Sequence, residues 1–169
     1  ELAGIRKLSQ SVGDAVHSAF TSLLEEIVSA WPGYEFEITP KRYGEKTVLP
    51  ILPIIIGGDD ITFVCPGRLG IDFARIFINK LETIMVSDGS PLSACAGVSV
   101  VKAKYPFYRA YRLAEELCSN AKRSARKHGG SWIDFHLASG GRSGSLGELR
   151  DWHYTVAQGS LLKRPYALT

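Results

Sequence analysis

Two adjacent aspartates, Asp59 and Asp60, follow two glycines, Gly57 and Gly58, at the point where two apolar runs meet. Carboxylates side by side repel each other and are costly to bury unless a positive charge lies between them. Glycine allows backbone angles and close approaches that a Cβ would forbid. The four residues therefore have two interpretations. They form an exposed polar hairpin turn, in which Asp and Gly are common, or they hold metal ions.

A second candidate group is basic and lies near the end of a predicted helix. Lys122 and Arg126 are four positions apart, so they share one helix face. The helix dipole favours cations at a C-terminus in any case, and this structural interpretation of both residues stays open. The histidines and cysteines have no paired-ligand spacing, which argues against a zinc site.

Regular elements must position these groups. The apolar periodicity predicts three long helices, over 2–31, 69–84 and 106–128, and a break near Gly13 is the alternative for the first of them. Strands are predicted over the second half of 48–56 and over 61–65, 92–101 and 132–137. The first two strands form a hairpin whose tip carries the glycines and aspartates. Residues 34–46 are interpreted as a loop or a short excursion, and Ser145 with Glu148 as the cap of a short C-terminal helix.

The order of elements, α-ββ-α-β-α-β, indicates the fold class. One strand added before the first helix gives β-α-β-β-α-β, the ferredoxin-like arrangement. We therefore expect an α+β fold of ferredoxin-like topology, with an antiparallel sheet and helices on one face. Its first strand is expected upstream of Glu1, because without it the hairpin would keep an unpaired edge. A single domain is predicted over 1–169, with a core of about 2–137 and a C-terminal extension over 138–169.

Composition bounds the class of protein. The chain has 169 residues, 45% of them hydrophobic, and a net charge of +3 that is too small to imply nucleic-acid binding. Three widely spaced cysteines are typical of reduced thiols in a cytoplasmic protein. No apolar run approaches the roughly 20 residues of a membrane span, so no membrane partner is expected.

The segment "KYPFYRAY" contains three tyrosines and a phenylalanine that could stack on a base. At helical spacing, however, Phe107 and Tyr111 are predicted to be core residues. Gly97, inside a predicted strand, is assigned to packing. With no basic channel or aromatic-basic interleaving visible, a general nucleic-acid polymerase is disfavoured.

Three stretches carry a family resemblance. "IIIGGDDITFV", "LSACAGVSVVKAKYPFYRAYRLAEELCSNAKR" and "SWIDFHLASG" together resemble a palm domain of the nucleotidyl-cyclase type. The likeness is closest to the GGDD-bearing palm of the large subunit of type III CRISPR effector complexes, and to minimal CRISPR polymerases. GGDEF diguanylate cyclases are more distant. The resemblance spans roughly residues 2–137.

The resemblance implies an enzyme that joins nucleoside triphosphates, with ATP expected, into cyclic oligonucleotides for antiviral defence. In it Asp59 and Asp60 are catalytic and bind Mg²⁺ or Mn²⁺, while Gly57, Gly58 and the two basic residues Lys122 and Arg126 bind the nucleotide. The first strand of such palms supplies a further metal-binding acid. A homodimer or a second palm is expected as partner, together with CRISPR effector subunits and RNA.

Departures from the cyclases narrow this expectation. The turn lacks the Glu-Phe ending of GGDEF proteins, and no Arg-x-x-Asp inhibition site precedes it, so cyclic di-GMP synthesis is disfavoured. The alternative is a catalytically silent palm that binds nucleotide and acts as a scaffold or sensor in a larger effector assembly.

Overall fold

The computed structural model describes residues 2–34, 41–138 and 144–168 of the chain. The chain divides into two compact units, Glu1–Ser93 and Ala94–Thr169. Each unit contains both helices and strands, so the α+β class predicted from the sequence is confirmed. A single folding domain over 1–169 stays a prediction, since compactness alone does not define a domain.

Two helices and two hairpins make up the described part of the first unit. They are α1 (Leu2–Tyr34), β1 (Lys41–Tyr43), β2 (Lys46–Val48), β3 (Leu52–Gly57), β4 (Asp60–Val64) and α2 (Gly70–Glu82). Helix α1 runs without a break through Gly13 and ends three residues beyond the predicted position. Pro32 is tolerated because it lies in the last turn, where its ring interrupts one terminal hydrogen bond and leaves the interior of the helix intact.

The core of the first unit lies between α1 and α2. Apolar side chains at helical spacing on both helices are buried: Ala15, Val16, Ala19, Phe20, Leu23 and Ile27 on α1, and Phe73, Ile76, Phe77 and Leu81 on α2. Each large side chain that is fully buried, such as Leu23 or Phe73, stabilises the fold by about 1.5–3 kcal/mol. Lys80 of α2 and Glu26 of α1 form an ion pair at 2.8 Å beside this core.

Strands β3 and β4 form the antiparallel hairpin that the sequence predicts. The register shifts between Pro53 and Ile55, where proline cannot donate a ladder hydrogen bond. A second hairpin, β1–β2, lies in the segment interpreted as a loop; its turn contains Gly44 with a left-handed φ of 61°. The hairpin was missed because each strand has only three residues. Part of that predicted loop, 35–40, lies outside the described residues.

The described part of the second unit has two helices and five strands. They are β5 (Cys95–Val100), α3 (Phe107–His128), β6 (Ser131–Leu137), α4 (Leu146–Tyr154), β7 (Thr155–Val156), β8 (Gly159–Ser160) and β9 (Tyr166–Leu168). Strand β6 lies between β5 and β9, parallel to the first and antiparallel to the second. The prediction of an antiparallel sheet is therefore wrong for β5 and β6. Helix α3 carries the chain back across the sheet, and such a crossover makes consecutive strands parallel.

The C-terminal extension packs on α3 and β6. Leu146 and Leu149 of α4 join Leu113 and Leu117 of α3 in one buried cluster. Ser145 and Glu148 form the predicted capping box, in which Ser145 Oγ accepts from the Glu148 N–H and the Glu148 carboxylate accepts from the Ser145 N–H. Strand β9, which the sequence did not predict, pairs with the start of β6. In the described parts of the chain, no helix is long and apolar enough to cross a membrane.

Candidate functional site

The glycine–aspartate motif forms the tip of the β3–β4 hairpin. Gly57 pairs with Asp60, which leaves Gly58 and Asp59 as the two central residues of the turn. Gly58 has a left-handed φ of 58°, whereas Asp59 does not have a positive φ. This combination is typical of a type II′ turn, which requires glycine at its first central position. Sequence chemistry therefore determines the conformation of this turn.

Both aspartate side chains are solvent-exposed. Asp59 lies in the turn itself and Asp60 is the first residue of β4, so the two carboxylates project from the tip of the hairpin and not from its middle. No side chain would be close to a Cβ placed on Gly57 or Gly58. Exposed carboxylates on an open turn can bind a metal ion without any rearrangement of a core, because no buried group has to move.

Helix α1 contacts the turn through Gly13. A Cβ built on Gly13 would lie 3.8 Å from the Gly58 carbonyl oxygen and 3.9 Å from its Cα. Glycine costs about 1 kcal/mol relative to alanine in the interior of a helix. Here the glycine lies where α1 approaches the backbone of Gly58. Phe63 of β4 also packs near Phe20 of α1, with ring centroids 6.2 Å apart. The helix therefore contacts the hairpin at its tip and at Phe63.

The two basic candidates lie on α3 in the second unit. Ala121 is fully buried, whereas Lys122 and Arg126 are exposed. Lys122 lies close enough to the start of β5 to influence Cys95: burial raises the pKa of the Cys95 thiol, and a backbone hydrogen bond from Trp132 and the Lys122 charge partly oppose that rise.

Gly97 has the packing role that the sequence assigned to it. A Cβ at this position would lie 2.1 Å from the carbonyl oxygen of Ala114, 2.4 Å from the backbone nitrogen of Cys118 and 3.0 Å from the Leu117 Cβ. Real Cβ atoms do not approach backbone atoms so closely, hence only glycine fits between β5 and α3. Ser99 Oγ adds a second link by donating to the Ala110 carbonyl at 2.8 Å.

The sequence-predicted residues thus form two groups, each placed by its own unit. The first unit gathers Gly57, Gly58, Asp59 and Asp60 in one turn, and the second presents Lys122 and Arg126 from one helix. Within the described residues, no three histidine, cysteine, aspartate or glutamate side chains come together in a way that could hold a metal ion. The turn therefore brings Asp59 and Asp60 together without a third such side chain among the described residues.

One aromatic prediction is wrong. Phe107 was expected in the core, but it is 51% exposed at the start of α3. The buried side of that helix is formed instead by Leu113, Leu117 and Ala121. Tyr111 is half-buried. Helical spacing alone could not distinguish these faces, because aromatic and aliphatic residues both occur in the first turns of the helix.

The sequence did not reveal a buried polar network beneath α3 and α4. Asp134 is fully buried on β6 and accepts from Arg150 at 2.5 Å and from Asn120 at 2.6 Å. Arg123 in turn donates to the Asn120 side-chain oxygen at 2.5 Å. A carboxylate in an otherwise apolar strand pattern was the only available signal. The network links β6 to α3 and α4, and we assign it to structure because Asp134 is not accessible to a ligand.

A buried histidine lies beside that network. His136 of β6 is buried, and within the described residues neither of its ring nitrogens has a hydrogen-bond partner. Burial lowers its pKa below the usual 6.5, and the charges of Arg164, His153 and Arg150 lower it further, while Asp134 acts in the opposite direction. The His136 imidazole is therefore held in its neutral form near neutral pH.

Comparison with known proteins decides the family. The model of the Cas10/Cmr2 second palm domain matches residues 3–129, which is about three quarters of the chain. The chain belongs to this Cas10/Cmr2 palm family. It is thus a nucleotidyltransferase-like palm of the kind found in the large subunit of type III CRISPR effector complexes, and the expected palm-type fold is confirmed. A search of curated proteins gives no match.

The Cas10/Cmr2 match covers both groups of candidate residues. It includes α1, the β3–β4 hairpin and α3 up to the basic residues Lys122 and Arg126. It ends before β6, so Asp134, Arg150 and the C-terminal extension lie outside the matched range, whereas Asn120 and Arg123 of the buried network lie inside it. Membership in the family therefore supports the interpretation of the β3–β4 hairpin and of α3. The C-terminal extension is interpreted from its own contacts.

Proposed function

We propose that the protein is a Mg²⁺- or Mn²⁺-dependent nucleotidyltransferase that converts nucleoside triphosphates, with ATP expected, into cyclic oligonucleotides. The observation that carries the proposal is the pair of exposed aspartates, Asp59 and Asp60, on a glycine-dependent turn. Membership in the Cas10/Cmr2 palm family supports the reaction class. Both aspartates would be the catalytic and metal-binding residues.

The donor set fits magnesium. Mg²⁺ is usually bound by one or two carboxylates together with substrate phosphates and water, so two adjacent aspartates are sufficient protein ligands. When bound, the metal supplies charge neutralisation at the phosphates and activation of the attacking hydroxyl. Gly57 and Gly58 place no Cβ in the way of a triphosphate that approaches the turn.

The chemical step is a displacement at phosphorus. A hydroxyl oxygen of one nucleotide forms a bond to the α-phosphorus of the next, the bond from that phosphorus to the bridging oxygen breaks, and pyrophosphate leaves. The hydroxyl proton passes to solvent. Lys122 and Arg126, one helical turn apart and exposed, would neutralise negative charge on the triphosphate. A cyclic product needs two nucleotides that face each other, so a homodimer or a second palm is the proposed partner, within an assembly of CRISPR effector subunits and RNA.

A test of this proposal removes the two carboxylates. The protein is incubated with each nucleoside triphosphate and Mg²⁺ or Mn²⁺, and products are resolved by mass spectrometry. We expect a cyclic oligonucleotide and pyrophosphate from the wild type and neither from the Asp59→Ala, Asp60→Ala double variant. The matched control is Glu25→Ala, Glu45→Ala, which removes two exposed acids elsewhere in the first unit and should retain activity. Equal product from the two double variants would refute the assignment.

One observation favours the silent palm as a second candidate. No third acidic side chain joins Asp59 and Asp60 within the described residues, whereas two-metal phosphoryl transfer uses a larger carboxylate cluster. A palm of this kind would bind nucleotide and serve as a scaffold or sensor. Calorimetry distinguishes the two candidates: metal-dependent nucleotide binding that the double aspartate variant abolishes, without any turnover by the wild type, would favour the silent palm.

A further inference from the structure

The start of α3 and the turn before it expose aromatic and basic side chains together. Phe107 is 51% exposed and Tyr108 is 62% exposed, and four basic residues around them are exposed as well. We call this surface the basic aromatic patch, and it comprises Lys102, Lys104, Phe107, Tyr108, Arg109 and Arg112. All of it lies in the second unit.

Helical geometry places Tyr108 and Arg112 on the side of α3 that faces away from its buried residues. The buried side carries Leu113 and Leu117, and Tyr108 lies nearly opposite to them at 100° per residue. Phe107 and Tyr111 are four positions apart, and their ring centroids are separated by 6.3 Å. Tyr108 and Arg112 have the same spacing and so share a face. The first two turns of α3 thus present two neighbouring rows, each of which contains an aromatic ring.

The patch contains four cations, and acidic side chains border it at Arg112, which lines a surface hollow together with Glu115, Glu116 and Asp151. No aspartate or glutamate occurs between Asp88 and Glu115, while Lys102, Lys104 and the two arginines of the patch are all within that interval. The turn that carries the lysines is closed by a hydrogen bond from the Tyr105 N–H to the Lys102 carbonyl at 2.8 Å. Positive charge is therefore concentrated around the exposed rings, although the net charge of the whole chain is only +3.

We propose that the basic aromatic patch binds single-stranded nucleic acid. Unpaired bases of any sequence can stack on aromatic rings, and the phosphates of the nucleic-acid backbone pair with the surrounding cations. A folded protein partner is the less suitable occupant, because the four cations would need an acidic partner surface and the two exposed rings would have no base to stack on. Exposure and charge together favour a ligand with alternating rings and phosphates.

The basic aromatic patch is separate from the two basic residues of α3 that are proposed to bind nucleotide. Along α3, Tyr108 and Lys122 are 14 residues apart, which corresponds to about 21 Å of helix. The proposal does not depend on catalysis by Asp59 and Asp60. The patch also revises an expectation from the sequence, which assigned Phe107 to the core and found no interleaved aromatic and basic residues. The exposure of Phe107 places an aromatic ring among the basic residues on the surface.

The experiment measures fluorescence anisotropy of fluorescein-labelled 12-nucleotide single strands, one RNA and one DNA, as the protein is added at 50 and 200 mM salt. Four phosphate contacts give a slope of about −2.8 in log affinity against log salt, or ~50-fold weaker binding at the higher salt. The comparison of RNA with DNA identifies which strand is the better ligand. Absence of binding by both strands at 50 mM salt would overturn the proposal.

Two variants separate stacking from charge. Phe107→Ala, Tyr108→Ala should weaken binding by about 30-fold with the salt slope unchanged, since each stacked base contributes at least ~5-fold. Lys102→Ala, Lys104→Ala should reduce the salt slope to about −1.4. The conservative variant Tyr108→Phe, which keeps the ring, should retain affinity. The four substituted side chains are all exposed, so the melting temperatures of these variants should equal that of the wild type.

Matched controls remove similar groups elsewhere. Trp152→Ala removes another exposed ring, one that follows the acidic Asp151, and Arg6→Ala, Lys7→Ala removes two exposed cations of α1. Both should leave binding unchanged. If these controls weaken binding as much as the patch variants do, the interaction is general attraction to a basic protein and the proposal is wrong. It is also wrong if Lys122→Ala, Arg126→Ala abolishes binding while the patch variants retain it.

Discussion

Replacement of Gly97 by alanine is expected to force strand β5 away from helix α3. The new Cβ would lie 2.1 Å from the Ala114 carbonyl oxygen and 2.4 Å from the Cys118 backbone nitrogen. Ordinary contact begins near 3.4 Å, so the two elements must separate by roughly 1 Å, and neither obstacle is a flexible side chain that could rotate away. Overpacking costs 1–3 kcal/mol in typical cores, and we expect about 3 kcal/mol here because both contacts involve backbone atoms.

Urea denaturation followed by tryptophan fluorescence measures this loss. With a dependence of about 2 kcal/mol per M of urea, a 3 kcal/mol loss lowers the unfolding midpoint by ~1.5 M. Gly147→Ala in α4 is the matched control, because the nearest atom to its Cβ, Ser145 Oγ, is 4.0 Å away. That variant should gain up to about 1 kcal/mol from helix propensity. Equal midpoints for Gly97→Ala and the wild type would refute the close approach of β5 and α3.

Two further predictions concern the support of the turn and the buried histidine. Gly13→Ala should keep the activity of the proposed function and stabilise α1 by about 1 kcal/mol. Gly13→Leu should instead push on Gly58 and lower turnover by up to ~100-fold, which is the scale of a 1 Å misplacement. Steady-state kinetics measure both variants, and equal activity of the leucine and alanine variants would contradict this prediction. Because the pKa of His136 is lowered in the folded state, the unfolded chain binds an extra proton below about pH 6.5. Unfolding free energy should therefore fall as pH drops from 7 through that range, by at most about 1.4 kcal/mol per pH unit. Denaturant titrations over pH 5–7 should show a flatter profile for His136→Leu and an unchanged one for the exposed control His17→Gln.

Local chemistry made the hairpin predictable. Adjacent Gly58 and Asp59 between two apolar runs specify a two-residue turn, and the structure pairs Gly57 with Asp60 on either side of it. The capping box at Ser145 was predictable for the same reason, since its partner Glu148 is three residues away. Both features depend on residues that are close in sequence, and no distant contact is needed to form them.

Features that depend on distant contacts were not predictable. Strand β9 has three residues and exists because it pairs with β6, about 35 positions earlier in the chain. The exposure of Phe107 depends on which face of α3 packs against the sheet, and Gly97 influences that choice through a contact that no local pattern encodes. The sequence named both groups of candidate site residues, but their separation into two units emerged only from the structure.

The β3–β4 hairpin has a consequence for the behaviour of the protein in concentrated solution. Leu52, Ile54, Ile55 and Val64 remain exposed on it, and within the described residues β4 pairs on one side only, with β3. An uncovered edge of this kind can accept a strand from any other chain. Beyond Asp60, β4 contains no charge, lysine or proline to prevent such pairing. Samples should therefore be prone to form fibrils or insoluble aggregates through this edge. A lysine in place of Thr62 or Val64 is a simple change that should keep the protein soluble during purification.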